Sequence, residues 1–132
     1  MKRRTRVLVY SCSGCSNVAQ LANRLAVELD RSGIAEMSCI AGVGGDVAPL
    51  VSRARSQRPV LAIDGCALHC TLACLQRHDI TPDCHVALSE LGLKKRYRED
   101  FKAHTAGRLH EQARQWVAAA EEVAGKQQVG QA

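Results

Sequence analysis

The sequence predicts an α/β protein: a three-layer, doubly wound domain with a parallel four-stranded sheet and helices on both faces. Three observations lead there. Short apolar, β-branched runs alternate with segments whose apolar residues recur at helical spacing. The connections between them are short, as strand-helix-strand units require. The strand runs are apolar throughout rather than alternating, the mark of a sheet buried on both faces. With 132 residues, the chain is expected to form one domain over 1–132 with a substantial core.

The elements follow in order. Val7-Leu8-Val9-Tyr10 is the first strand. "SCSGCSN" is a loop whose Ser16 or Asn17 caps the next helix. Val18, Leu21, Ala22, Leu25, Ala26 and Leu29 form that helix's apolar face, and Ser32-Gly33 ends it. A second strand is expected over Ala35 to Ile40. "AGVGGD" reads as a glycine-rich loop, with Asp46 capping a helix that carries Val47, Leu50, Val51 and Ala54 and takes Pro49 in its first turn. Val60 to Ile63 is the third strand and "DGC" its exit. A helix with Leu68, Leu72 and Leu75 follows. His85 to Leu88 is a fourth strand, less apolar and so an edge. Leu109, Ala113, Trp116, Ala120 and Val123 mark a long last helix, and "GKQQVGQA" is expected to fray. Right-handed crossovers favour a flavodoxin- or Rossmann-like strand order, second-first-third-fourth, which places the site at the switch point between the first and third strands.

Aromatic residues make up only 3% of the chain, which argues against a base-stacking surface. The net charge of +5 is concentrated in Lys2-Arg3-Arg4 with Arg6 and in Lys94-Lys95-Arg96 with Arg98. These read as solvated surface, and a nucleic-acid partner is not expected. The apolar part of "MKRRTRVLVYSC" is too short for an export signal, and no run spans a membrane. A cytoplasmic location is therefore expected, with no membrane partner; a homo-oligomer is compatible with the sequence.

The compartment bears on seven cysteines: Cys12, Cys15, Cys39, Cys66, Cys70, Cys74 and Cys84. An odd number in a reducing compartment points to metal or catalytic use rather than a disulfide framework. Cys12, Cys39 and Cys66 each fall at the end of an expected strand, so all lie at the carboxyl edge of the sheet. Strand ends are ~4.8 Å apart. Cys66 and Cys70, four apart at an expected helix start, share a face. Four soft thiolates from Cys12, Cys39, Cys66 and Cys70 suit zinc, and less well an iron–sulfur centre. Cys74 is a further turn away, and Cys74 and Cys84 read as core or incidental.

The segments "YSCSGCSNVAQLANRLA", "EMSCIAGVGG", "LAIDGCALHCTLACL" and "HVALSELGLKK" resemble the DGC-domain family, associated with zinc binding and named for its central Asp-Gly-Cys. The resemblance covers roughly residues 6 to 96. It implies a zinc site whose chelating cysteines fall on Cys12, Cys39, Cys66 and Cys70. Cys15 and Cys74 look like additions in this sequence and are alternative ligands. No reaction is implied, so neither enzyme nor non-enzyme is favoured. Gly65 is read as the residue that lets the chain turn tightly. Asp64 is read as a helix cap or as a hydrogen-bond partner beside the metal.

Two other chemistries fit parts of the pattern. "CSGC" between strand and helix is the setting of a redox pair, with thiol pKa values lowered by the helix start. Thiol redox or sulfur relay through Cys12/Cys15 and Cys66/Cys70 is therefore the alternative to a metal site. Against a thioredoxin-like domain, none of Pro49, Pro59 and Pro82 suits the required cis-proline. A low-molecular-weight phosphatase is excluded, because Val18 and Leu21 stand where its phosphate-binding arginine would be. His69 is assigned a surface or supporting role, and His104 and His110 are expected to be solvated.

Overall fold

The computed structural model describes residues 6–131. Its elements are β1 (Leu8–Ser11), α1 (Asn17–Arg31), β2 (Glu36–Met37), α2 (Ile40–Gly44), α3 (Ala48–Ala54), β3 (Val60–Asp64), α4 (Cys70–Gln76), β4 (Cys84–Ala87), a 3₁₀ turn (Leu88–Leu91) and α5 (Ala103–Gln131). The strands form one sheet in the order β2-β1-β3-β4 with every pair parallel. The α/β class and the second-first-third-fourth order are as the sequence predicts. Lys2-Arg3-Arg4 lies outside the described residues.

Alternation along the strands sorts the core into two halves. Val7, Val9, Leu61 and Ile63 meet Leu21, Leu25 and Leu29 of α1 and Leu109 and Trp116 of α5. Leu8, Tyr10, Val60 and Ala62 meet Val43 of α2, Ala54 of α3 and Leu75 of α4. Every residue of β1 and β3 is buried, whereas Cys84, His85 and Val86 of β4 are half-buried, as suits an edge strand. Helix α1 begins where its cap says it should. The Ser16 hydroxyl accepts the Ala19 amide at 3.1 Å, and Gly33 leaves the helix with φ +78°.

Four local expectations change. First, β2 is two residues long rather than six. After Met37, Ser38 N still donates to Val9 O at 3.2 Å, but the chain then turns at Cys39, the N-cap of α2. Second, most of the glycine-rich "loop" is the helical turn α2. Burial of Val43 and packing of Ile40 against the core outweigh glycine's poor helix propensity. Third, Val47, not Asp46, precedes α3. Asp46 has φ +63°, and its carboxylate instead pairs with Arg77 at 2.6 Å and with His78 at 3.0 Å. Fourth, α4 starts at Cys70, so Cys66 is not on a helix and Leu68 is 71% exposed.

At the other end, α5 stays helical through Gln131 where fraying was expected. Leu109, Ala113, Trp116 and Ala120 are buried as the stripe predicts. Val123 is exposed, while Val117 and Ala124 are buried. The 3.6-residue repeat drifts off a strict four-three spacing over so many turns. Among the described residues no helix is long and apolar enough to cross a membrane.

Candidate functional site

The register of the inner strands sets the site. Ser11 lies opposite Ile63, so β1 and β3 end level and release their loops side by side. Cys12 N donates to Ile63 O at 3.2 Å, and Gly65 N donates to Cys12 Sγ at 3.2 Å. The two loops and the α4 start enclose a cleft of about 480 Å³. Five cysteines line it: Cys12, Cys15, Cys66, Cys70 and Cys74.

Three of the four expected ligands therefore share the cleft. Cys39 does not line it, although the next two residues, Ile40 and Ala41, do. Cys15, Cys39 and Cys70 are exposed; Cys12, Cys66 and Cys74 are half-buried. Cys66 reaches the cleft from the turn before α4 rather than from a helical face. The i, i+4 argument for Cys66 and Cys70 thus fails, although both line the cleft. Cys74 is not incidental: it lines the cleft and abuts α2, where a Cβ on Gly44 would meet its sulfur at 2.8 Å. Cys84 packs on the α1/α5 half of the core, as read.

The Asp-Gly-Cys segment has a physical explanation. Gly65 is required less for a turn than for a close approach. A Cβ there would stand 2.6 Å from the Val18 carbonyl carbon and 2.7 Å from Ala19 N. Asp64 is 1% exposed. Its carboxylate accepts Thr71 N at 2.7 Å and Leu72 N at 3.2 Å, and lies 2.9 Å from His85 Nε2. The position before α4 belongs to His69, in the left-handed region at φ +55° with no capping side chain. Asp64 therefore caps α4 from a distance. The His69 ring stands edge-on to His85, with centroids 4.8 Å apart. His104 is exposed as expected, but His110 is half-buried, with Nδ1 3.5 Å from Glu28 Oε1 of α1.

Burial pushes the Cys12 thiol up to about 11; the Gly65 amide opposes this, and negative charge on Asp64, Cys70 and Cys66 adds to it. The helix-lowered pKa expected of a reactive "CSGC" is not found at Cys12, because α1 starts only at Asn17. Burial also raises the Cys74 and Cys84 thiols. The raised Cys12 value favours the protonated folded state. Its contribution is complete below the ordinary 9.0 and is lost as pH climbs through about 11. In metal-free, reduced protein, iodoacetamide at pH 7.5 should modify exposed Cys15 well before Cys12, and the Cys12 rate should rise until about pH 11. Peptide mass mapping would read this order. Equal rates at neutral pH would contradict the sheltered placement of Cys12.

Among the described residues no three His, Cys, Asp or Glu side chains are grouped closely enough to hold a metal ion as they stand. The donors nonetheless fit a soft divalent ion in kind, since five thiols face one cleft.

Two further residues line the cleft: Lys95, from a charged run expected to be solvated surface, and Tyr97. Lys95 Nζ donates to Cys66 Sγ at 3.5 Å and lies 5.1 Å from the Tyr97 ring centroid. No local signal marks them. They reach the cleft because Ser16 and Tyr97 form an isolated antiparallel bridge.

Comparison with known proteins bears on this arrangement. The DGC domain model matches residues 8–113. The anaerobic and virulence modulator AnvM of Pseudomonas aeruginosa is 69% identical over 102 residues, 77% of this chain and 78% of that protein. No solved structure matches the chain.

Proposed function

The chain belongs to the DGC domain family, and from that premise we propose that it binds one zinc ion through cysteine thiolates at the carboxyl edge of its sheet. The observation that carries this reading is the gathering of five cysteines around one cleft between the level ends of β1 and β3. Cys12, Cys66 and Cys70 are the proposed inner ligands. Cys39 is the proposed fourth, entering from the α2 side beside cleft-lining Ile40 and Ala41. Bound zinc would tie the loops after β1, β2 and β3 together. Ligation would take the proton from Cys12, which the chain alone holds firmly, so zinc affinity would rise with pH.

Thiol redox or sulfur relay through Cys66 and Cys70 is the second reading. The contact between the Lys95 ammonium and Cys66 Sγ favours it, because it sets a hydrogen-bond donor against one sulfur of the pair. The name of AnvM, an anaerobic and virulence modulator, suits either reading, since thiolates and their metals respond to oxidants. A cytoplasmic location belongs to the same proposal, since a reducing compartment keeps the thiols free.

Elemental mass spectrometry with thiol counting separates the two readings. Protein purified without a histidine tag under reducing conditions should carry about one zinc per chain, with several thiols protected until a chelator is added. No stoichiometric metal, together with a cysteine pair that oxidises reversibly, would replace the zinc reading with the redox one.

A further inference from the structure

The strap that brings Lys95 to the cleft is fastened by one residue. Asn17 Nδ2 donates to Lys94 O at 3.1 Å, and Asn17 Oδ1 accepts Arg96 N at 2.7 Å. Asn17 N donates to Arg96 O at 3.0 Å. This ties the stretch from Lys94 to Tyr97 to the start of α1 as one wall of the cleft. Among the described residues Lys95 is the one lysine, arginine or carboxylate on the lining. The rest of the wall is largely apolar and includes Ile40, Ala41, Leu68 and Tyr97. Leu68 is 71% exposed and Tyr97 55% exposed, so two large apolar side chains stand open at the rim. Such a rim marks a place where apolar surface is meant to be covered. The volume of about 480 Å³ lies within the range of small-molecule sites, ~300–1,000 Å³.

We propose that this cleft binds a small amphipathic anion, its single carboxylate on the Lys95 ammonium and its apolar body along Tyr97, Leu68 and Ile40. The charge complement decides the class. One cation on an otherwise apolar wall suits one anionic group on an apolar body, not a polyanion and not a neutral sugar. The strap fixes the backbone that carries the cation, so less chain freedom is lost when the anion arrives, and the Lys95 ammonium itself rests 3.5 Å from Cys66 Sγ. The inference goes beyond the zinc reading and does not rest on it: Lys95, Tyr97 and Leu68 are not proposed ligands, and binding is expected with or without the ion.

Isothermal titration calorimetry of the full chain with octanoate tests it, in reduced protein both metal-free and zinc-loaded, with octan-1-ol as the uncharged probe. Octanoate should bind at one site, more tightly than octan-1-ol, and more weakly as salt is raised. Lys95→Gln should weaken octanoate by about threefold to tenfold, the range for a half-exposed ion pair, and leave octan-1-ol unchanged. Lys95→Arg should retain the preference for the anion. Leu68→Ala should weaken both probes by about tenfold. Absence of saturable octanoate binding in both forms would overturn the proposal. So would octanoate binding that Lys95→Gln leaves intact while Trp116 fluorescence reports a native fold. Zinc content measured on the same samples keeps the two ideas apart: octanoate without zinc removes only the metal reading, and zinc without octanoate removes only this one.

Discussion

The paired substitution Cys66→Ser with Cys70→Ser is expected to take zinc from about one ion per chain to none detectable, while Cys74→Ser and Cys84→Ser keep it. Cys66 and Cys70 flank the turn that leads into α4, and both face the cleft with Cys12. Removing two of four thiolates leaves too few donors for a structural site, which in practice takes four. Cys84 packs against the core on the α1/α5 face and has no part in the cleft. Cys39 and Cys74 supply the finer test. The family resemblance favours Cys39 as fourth ligand, whereas the cleft itself holds Cys74. Loss of zinc in Cys74→Ser with retention in Cys39→Ser would move the fourth position to α4. Zinc retained in the paired variant would remove the whole assignment.

Asp64→Ala should be the most destabilising single change at the site, costing about 3 kcal/mol, measured by urea unfolding with chelator present so that metal loss plays no part. The buried carboxylate serves the Thr71 and Leu72 amides in the first turn of α4 and the His85 ring. Each group left without a partner costs about 1–3 kcal/mol, and domain stability is only about 5–15 kcal/mol in total. Asp64→Asn keeps one acceptor oxygen and should cost less. A loss under about 1 kcal/mol in Asp64→Ala would show that α4 does not depend on this distant cap.

Much of this fold is legible in the sequence because its strongest signals are local. The apolar runs at Val7 and Val60 can only be strands buried on both faces, and the α1 stripe can only be a helix packed on them. The short elements resisted reading. α2 and β2 have seven residues between them, too few for a period to show, and their state is decided by what Ile40 and Val43 pack against. Asp46 looked like a cap because a carboxylate suits that position, but its pairing with Arg77, 31 residues along, cannot be seen from either neighbourhood. The same holds at the site. Cysteines at strand ends announce themselves, and Asp64, next to an expected helix start, announces itself as a cap. Lys95 was hidden in a charged run, since only the bridge between Ser16 and Tyr97 turns one lysine of that run inward.

The long sequence separation across the cleft fixes the order in which it can be assembled. Its lining runs from Cys12 to Tyr97, and β1, which the two-residue β2 pairs first, waits until Val60 for the strand that flanks the cleft with it. Contacts so distant form late, because the intervening chain must be closed before they repay its lost freedom. A ribosome working from the N-terminus would release all five cleft thiols before the Lys95 wall exists, and α5, which covers α1, later still. The cleft is thus a product of completed folding. A soft ion met during synthesis would find scattered thiols, and only the finished chain would offer it a walled site.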